Sequence, residues 1–149
     1  TLIFLGSSAI RQKVENWSVG NLVENIEKSV YFAVKNDLKV TFATEDTMRT
    51  HPKRLEKFYL AAIDCGVETI CLTDTVGSAT PTGVFNIVEF MRNLLTVRGL
   101  SNIKIHFHGH MDRGLGVWNS IAALSAGANR VDGSILGIGE RCGNTPNSF

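Results

Sequence analysis

His108 and His110 stand two residues apart, where the apolar run Ile105-His106-Phe107 gives way to glycines and polar residues. Side chains on a strand alternate between faces, so positions i and i+2 project together, about 7 Å apart. Imidazole nitrogens at that spacing can converge on one divalent ion at about 2.0–2.1 Å each. Histidines on a strand also occur as satisfied core or rim residues, so the pair alone carries little weight. It gains weight from the Gly-rich polar turn Gly137-Ile138-Gly139-Glu140-Arg141-Cys142-Gly143-Asn144, one strand–helix unit later. Both imidazoles must be neutral to bind a cation, so affinity is expected to fall below about pH 6.5.

Five short apolar runs read as the strands that position these groups: residues 2–5, 39–43, 69–72, 104–107, and 130–131 continuing to 135. Polar groups close each of them: Ser7-Ser8, Glu45-Asp46, Asp74-Thr75, His108 with His110, and Glu140 to Asn144. Helical spacing fills the intervals. Leu22, Ile26, Val30 and Ala33 form one stripe, with Ser18 as its N-cap. Leu55, Tyr59 and Ile63 form a second, with Pro52 in its first turn. Val84, Ile87, Val88, Met91 and Leu95 form a third, opened by Thr80-Pro81 and closed by Gly99. Val117, Ile121 and Leu124 form a fourth, stopped at Gly127.

Strands alternating with helices predict βαβ units and an α/β fold with a parallel sheet. No linker composition marks a boundary, so residues 1–149 are expected to form one domain. Length favours an open flavodoxin-like sheet, since a complete (β/α)8 barrel takes about 250 residues. Polar groups supplied by five strand ends suit a barrel mouth better than a single crevice. A net charge of +1 gives no basis for a nucleic-acid partner or an anionic membrane surface. No apolar run approaches the roughly 18–20 residues that span a bilayer. The opening Thr1-Leu2-Ile3-Phe4-Leu5 lacks the basic segment of a signal peptide. Cys65, Cys71 and Cys142 form no CxxC pair, which predicts a reduced, cytoplasmic protein.

The stretch His108-Gly109-His110-Met111-Asp112-Arg113-Gly114-Leu115-Gly116, followed by Asn119-Ser120-Ile121-Ala122-Ala123-Leu124 and closed by the turn from Gly137 to Asn144, resembles the signature of the 2-isopropylmalate synthase family. Asp74-Thr75-Val76-Gly77-Ser78-Ala79-Thr80-Pro81 and Phe42-Ala43-Thr44-Glu45-Asp46 resemble the two preceding strand ends of that family. The likeness runs collinearly over essentially the whole chain. The wider group includes citramalate and homocitrate synthases and hydroxymethylglutaryl-CoA lyase, which are TIM barrels that use a divalent metal. The resemblance implies a partial (β/α)8 barrel, about strands 4 to 8 with intervening helices, without the first three strands or the last helix. It also implies that the synthases' downstream regulatory region is absent. The family's Arg-Asp-Gly-Glu-type motif, whose acidic residue completes the metal site, does not occur in this sequence.

By the same resemblance, His108 and His110 are metal ligands. Asn144 lies in or beside the metal shell, with a turn cap as its alternative role. Glu45 and Glu140 match catalytic carboxylates of the substrate pocket, able to position a proton, orient a hydroxyl or tune a metal-bound water. A solvated surface acid is the alternative for each. Thr75 matches a threonine that hydrogen-bonds the substrate carboxylate, or else caps the turn before Gly77. Asp74 is expected to fix that turn, Asp112 to orient the histidine loop, and His106 to be structural. Cys142 lacks the lyase's glycine-cysteine-proline surroundings and reads as a small packed residue. Gly137, Gly139 and Gly143 are expected to serve backbone geometry. The sequence departs from the family at Met111, where asparagine is common, and at Leu2, where many synthases have a substrate-facing histidine.

The implied function is a metal-dependent, Claisen-type condensation of acetyl-CoA with a 2-oxo acid to give a 2-alkylmalate, as in 2-isopropylmalate synthase and leucine biosynthesis. Zn, Mn or Mg is the expected divalent ion. Citramalate or homocitrate synthesis, and a carbon–carbon lyase that reverses the bond change, are the neighbouring activities. In the synthases the general base comes from outside this region. A homo-oligomer such as a dimer is expected. The competing reading is an inactive half-barrel whose unpaired strand edges drive self-association.

Overall fold

The computed structural model describes residues 1–147. Strands β1 (Leu2–Gly6), β2 (Thr41–Glu45), β3 (Thr69–Asp74), β4 (Lys104–Gly109) and β5 (Arg130–Asp132) alternate with helices α1 (Ala9–Glu15), α2 (Val19–Lys35), α3 (Pro52–Asp64), α4 (Pro81–Val97) and α5 (Gly116–Ser125). Local signals start the helices where the sequence places them. Ser18 Oγ accepts the Asn21 amide at 3.1 Å and Thr80 Oγ1 accepts that of Gly83 at 3.2 Å. Pro52 and Pro81 occupy first-turn positions, where a missing N–H costs nothing.

All five strands are parallel and neighbour one another in chain order, β1-β2-β3-β4-β5. A flavodoxin-like sheet reverses its order at a switch point and carries helices on both faces. Here the order never reverses and the core lies on one face. Ile3, Leu5, Phe42, Ile70, Leu72, Ile105, Phe107 and Val131 pack with helix residues such as Leu22, Leu55, Phe58, Val84 and Met91. The alternate residues Leu2, Phe4, Ala43, Cys71, His106, His108 and Asp132 face the other way. That second face is concave, and every strand contributes to its lining. Sequential parallel strands with helices outside and a polar inner wall are the arrangement of a (β/α)8 barrel, of which this sheet is a part.

Burial separates the two layers energetically. Phe42, Phe58, Tyr59 and Phe107 are fully buried on the helix side, each such side chain contributing about 1.5–3 kcal/mol. On the inner face Leu2 and Phe4 remain 59% and 64% exposed, so the wall at β1 contributes little.

Four local readings need correction. α1 lacks any buried residue, so it left no apolar period to read; Ser8 caps it and Asn16 ends it in the left-handed conformation. β2 begins at Thr41 rather than residue 39 and continues to Glu45; Thr41 N bonds across to Thr1 O at 2.9 Å, and the Thr1 amino group donates to Lys39 O just before the ladder begins. β5 ends at Asp132, and Ile135 lies in a 3-10 turn (Ile135–Gly137) instead of extending the strand. α5 does not bury Val117, Ile121 and Leu124. Its buried face is Gly116, Asn119, Ser120 and Ala123, because it docks through polar bonds and close approach: Asn119 Nδ2 donates to Ala79 O at 3.2 Å.

Candidate active site

The site forms where the strands end. Register places His108 beside Thr73 of β3 and Asp132 of β5, all on the inner face. His108 Nδ1 lies 3.6 Å from Asp132 Oδ2, an electrostatic contact longer than a hydrogen bond. That imidazole, with Arg130 on the other side, holds the Asp132 carboxyl below the usual carboxylate range against the opposing effect of its burial.

His110 follows just beyond β4 and is buried. Its Nδ1 stands 3.1 Å from the carbonyl oxygen of Asp74. A carbonyl only accepts, so Nδ1 carries the proton and the Nε2 lone pair is left available. Nε2 lies 3.8 Å from Glu140 Oε2. The two imidazole rings meet edge-on, with centroids 5.0 Å apart.

Asn144 joins this pair through the backbone. It forms an antiparallel bridge with His110, and Met111 N donates to Gly143 O at 2.9 Å. Asn144 Oδ1 is buried without a hydrogen-bond partner. A buried acceptor left unpaired costs about 1–3 kcal/mol, and in a native fold it calls for an unseen donor or ion. Gly139 accommodates the amide: a Cβ there would stand 2.6 Å from Asn144 Cγ. The expected geometric role of the loop glycines therefore has a concrete form at this position.

The remaining expected site residues are gathered at the same place. Glu45, Thr75, His108, His110 and Glu140 all line one open cavity of about 400 Å³, with Leu2, Phe4, Cys71 and Asp132 among the other walls. Asn144 is not among the lining residues and reaches the site through its bridge to His110. Glu45 closes β2 and faces Arg11 of α1, Nε to Oε1 at 3.7 Å. Glu140 is 76% exposed at the mouth. Thr75 Oγ1 accepts the Asp46 amide at 2.7 Å and lies 2.9 Å from Thr73 Oγ1. Thr73 in turn belongs to a buried hydroxyl chain: its Oγ1 donates to Thr44 O, and Thr44 Oγ1 pairs with Tyr59 OH, which donates to Cys71 O.

Asp74 fixes its turn as the sequence suggested, accepting the Ser78 amide at 3.0 Å and that of Ala79 at 3.2 Å. Burial pushes its carboxyl above the usual range, while those amides pull it back. The Asp112 carboxylate is taken up by Arg141, whose guanidinium holds it below the ordinary value. The carboxylate beside an imidazole is instead Asp132, which the sequence reading did not single out. The strand alternation that exposed His108 and His110 would also have found it, given the β4–β5 register. Cys71 is not a ready nucleophile, since burial pushes its thiol up to about 12. Cys142 is exposed rather than packed.

The donors present fit a divalent cation in part. Among the described residues no group of three or more His, Cys, Asp or Glu side chains gathers at metal-holding distance. The cavity wall offers two imidazoles, and Asn144, bridged to His110 through the backbone, carries a buried amide oxygen with no partner; imidazole suits a borderline cation completed by oxygen ligands. Among the described residues no helix is long and apolar enough to cross a membrane.

Residues 2–148 match the family described as HMGL-like. The chain is 38% identical over 143 residues to the 2-isopropylmalate synthase of Shouchella clausii (strain KSM-K16), a match covering 95% of this chain and 27% of that protein. It is 36% identical over 125 residues to the mitochondrial homocitrate synthase of Schizosaccharomyces pombe (strain 972), covering 84% and 28%. Among solved structures, the HMG-CoA lyase of Bacillus subtilis superposes with a TM-score of 0.79 at 23% identity, over 97% of this chain and 51% of that one. The hydroxymethylglutaryl-CoA lyase of Pseudomonas aeruginosa gives 0.81 at 19%, over 98% and 51%. These two structures speak for the fold alone. The chain spans little more than a quarter of the synthases and about half of the lyases.

Proposed function

The chain belongs to the HMGL-like family, and from that premise we propose that it forms part of an acyl-CoA-dependent condensing site. The reaction is the joining of acetyl-CoA to a 2-oxo acid: the acetyl methyl loses a proton, its carbon bonds to the keto carbon while the carbonyl π pair moves to the keto oxygen and is protonated, and water cleaves the thioester to release CoA and a 2-alkylmalate. Similarity to 2-isopropylmalate synthases supports leucine biosynthesis in the cytoplasm as the setting, with homocitrate or citramalate synthesis as the near alternatives. A lyase running the bond change in reverse shares the same fold. We propose further that residues 1–149 supply about strands 4 to 8 of the barrel, with acetyl-CoA, the oxo acid and a homo-oligomeric partner as its ligands.

His108, His110 and Asn144 would hold the divalent ion, Zn, Mn or Mg. When bound, it supplies Lewis-acid polarisation of a carbonyl. The protein residues do the rest. The Asp74 carbonyl keeps His110 in the tautomer that leaves Nε2 free, and Asp132 faces the Nδ1 side of His108 from the neighbouring strand. Thr75 would turn its hydroxyl proton from Thr73 Oγ1 to an oxo-acid carboxylate at the cavity wall, its oxygen still anchored by the Asp46 amide. Glu45, steadied by Arg11, holds or moves a proton at the β2 end, and the exposed Glu140 does so at the mouth. The carrying observation is the edge-on His108–His110 pair on the wall of the cavity that Glu45, Thr75 and Glu140 also line.

The test is thiol release from acetyl-CoA by the intact protein with a panel of 2-oxo acids and Mg²⁺, Mn²⁺ or Zn²⁺. Release that requires both metal and His110 supports the reading; a folded protein that binds metal but releases no thiol with any oxo acid overturns it. A second reading, the self-associating half-barrel, is supported by the exposed inner-face Leu2 and Phe4. It predicts association without turnover.

A further inference from the structure

Arg141 lies in the loop after β5 with φ of 54°, a left-handed conformation that strains a residue bearing a side chain. Its guanidinium makes a set of long-range bonds. Nε donates to Asp112 Oδ1 at 2.7 Å and Nη2 to Asp112 Oδ2 at 3.0 Å, a bidentate pair. Nη2 also donates to the carbonyl oxygen of Thr75 at 2.7 Å. Nη1 stands 3.6 Å from Glu140 Oε2. One side chain thus ties the loop after β5 to those after β3 and β4.

The surroundings are built to admit it. Gly77 has φ of 59°, and a Cβ there would stand 2.6 Å from Asp112 Oδ2 and 2.8 Å from the Asp112 amide nitrogen. Any side chain at position 77 would push Asp112 off the guanidinium. Arg113 adds a parallel link, its Nη1 donating to Ser78 O at 2.8 Å. A half-exposed ion pair adds little to global stability. A strained backbone retained for such a pair points to what the pair positions.

We propose that Arg141 is a positioning residue that locks three loops into one unit: Thr75 on the first, His110 on the second, Glu140 and Asn144 on the third. The proposal rests on the functional reading above, since those residues matter together only if they serve one site. Lysine cannot replace the arginine, because a single ammonium lacks the planar fork that spans a carboxylate and a carbonyl at once.

The test compares Arg141→Lys, Asp112→Asn and the double variant in the intact protein. It reads amide hydrogen exchange at Met111 and Asn144 without metal, Co²⁺ affinity by calorimetry, and the melting temperature. The expected result is exchange at Met111 and Asn144 about tenfold faster or more, with β3 amides and the melting temperature unchanged. Co²⁺ affinity falls about 10- to 100-fold. The double variant is no worse than either single one, because the two residues act as a unit. Unchanged exchange in both single variants overturns the proposal, as do multiplicative losses in the double. So does looser exchange with undiminished Co²⁺ affinity in a protein whose His108 and His110 bind the ion. Looser exchange in a protein that never binds Co²⁺ leaves the loop lock standing and defeats the metal-site reading instead.

Discussion

His110 Nδ1 lies 3.1 Å from the main-chain oxygen of Asp74, so the end of β3 decides which nitrogen the β4 histidine presents. The same aspartate's side chain holds the following turn through the Ser78 and Ala79 amides. Backbone and side chain of one residue therefore serve both the turn and the tautomer.

His108→Ala and His110→Ala should each reduce divalent-ion affinity by more than the roughly 10- to 100-fold typical of an outer partner. Calorimetry with Zn²⁺ or Mn²⁺ reads the loss, and circular dichroism confirms that the fold persists. Undiminished affinity in both variants would remove the imidazole pair from the site.

Asp132→Asn should cost less, about tenfold in affinity, because it frees the orientation of His108 without removing a donor. The same titration distinguishes the two cases: a loss as large as that of His108→Ala would make Asp132 itself a ligand.

Burial on the inner face, with Arg130 nearby, holds the His106 imidazole below its ordinary pKa. The unfolded chain then binds the proton more readily than the folded one. Stability is therefore complete above about pH 6.5 and declines as the pH falls through that value. Urea melts at about pH 7.5 and 5.5 should differ for the natural protein, and His106→Gln should narrow the difference.

Tyr59 OH donates to Cys71 O and pairs with Thr44 Oγ1 in the core. Tyr59→Phe removes both bonds, with Thr47 Oγ1 at 2.7 Å as the remaining partner of Thr44 Oγ1, and should cost about 1–3 kcal/mol in all. The urea midpoint should drop at constant slope.

Phe4→Asp and Leu2→Asp place charge on the uncovered inner wall and should shift light-scattering mass towards the monomer. A natural protein already monomeric at high concentration would show that this wall is not a contact surface.

What the sequence disclosed was what local chemistry determines. The caps at Ser18 and Thr80, the prolines at 52 and 81, and the stripes of α2, α3 and α4 depend on residues a turn apart. The shared face of His108 and the inner strand residues follows from alternation alone. Asp132 beside His108 was out of reach because the register of β4 with β5 depends on the whole crossover between them. Arg141 stood in a motif read for its glycines and its acid, while its partners Asp112 and Thr75 are distant in sequence. α5 misled because its docking face is small and polar, Gly116-Asn119-Ser120-Ala123, where hydrophobic spacing carries no information.

Because every strand pairs with the one synthesised just before or after it, each hydrogen-bonded ladder can close as soon as its repeat leaves the ribosome. Within this stretch no strand waits for a distant segment to find its mate, and pairing can proceed in chain order. The histidine-bearing rim is then among the last parts to be completed, so a nascent chain acquires its framework before its chemistry.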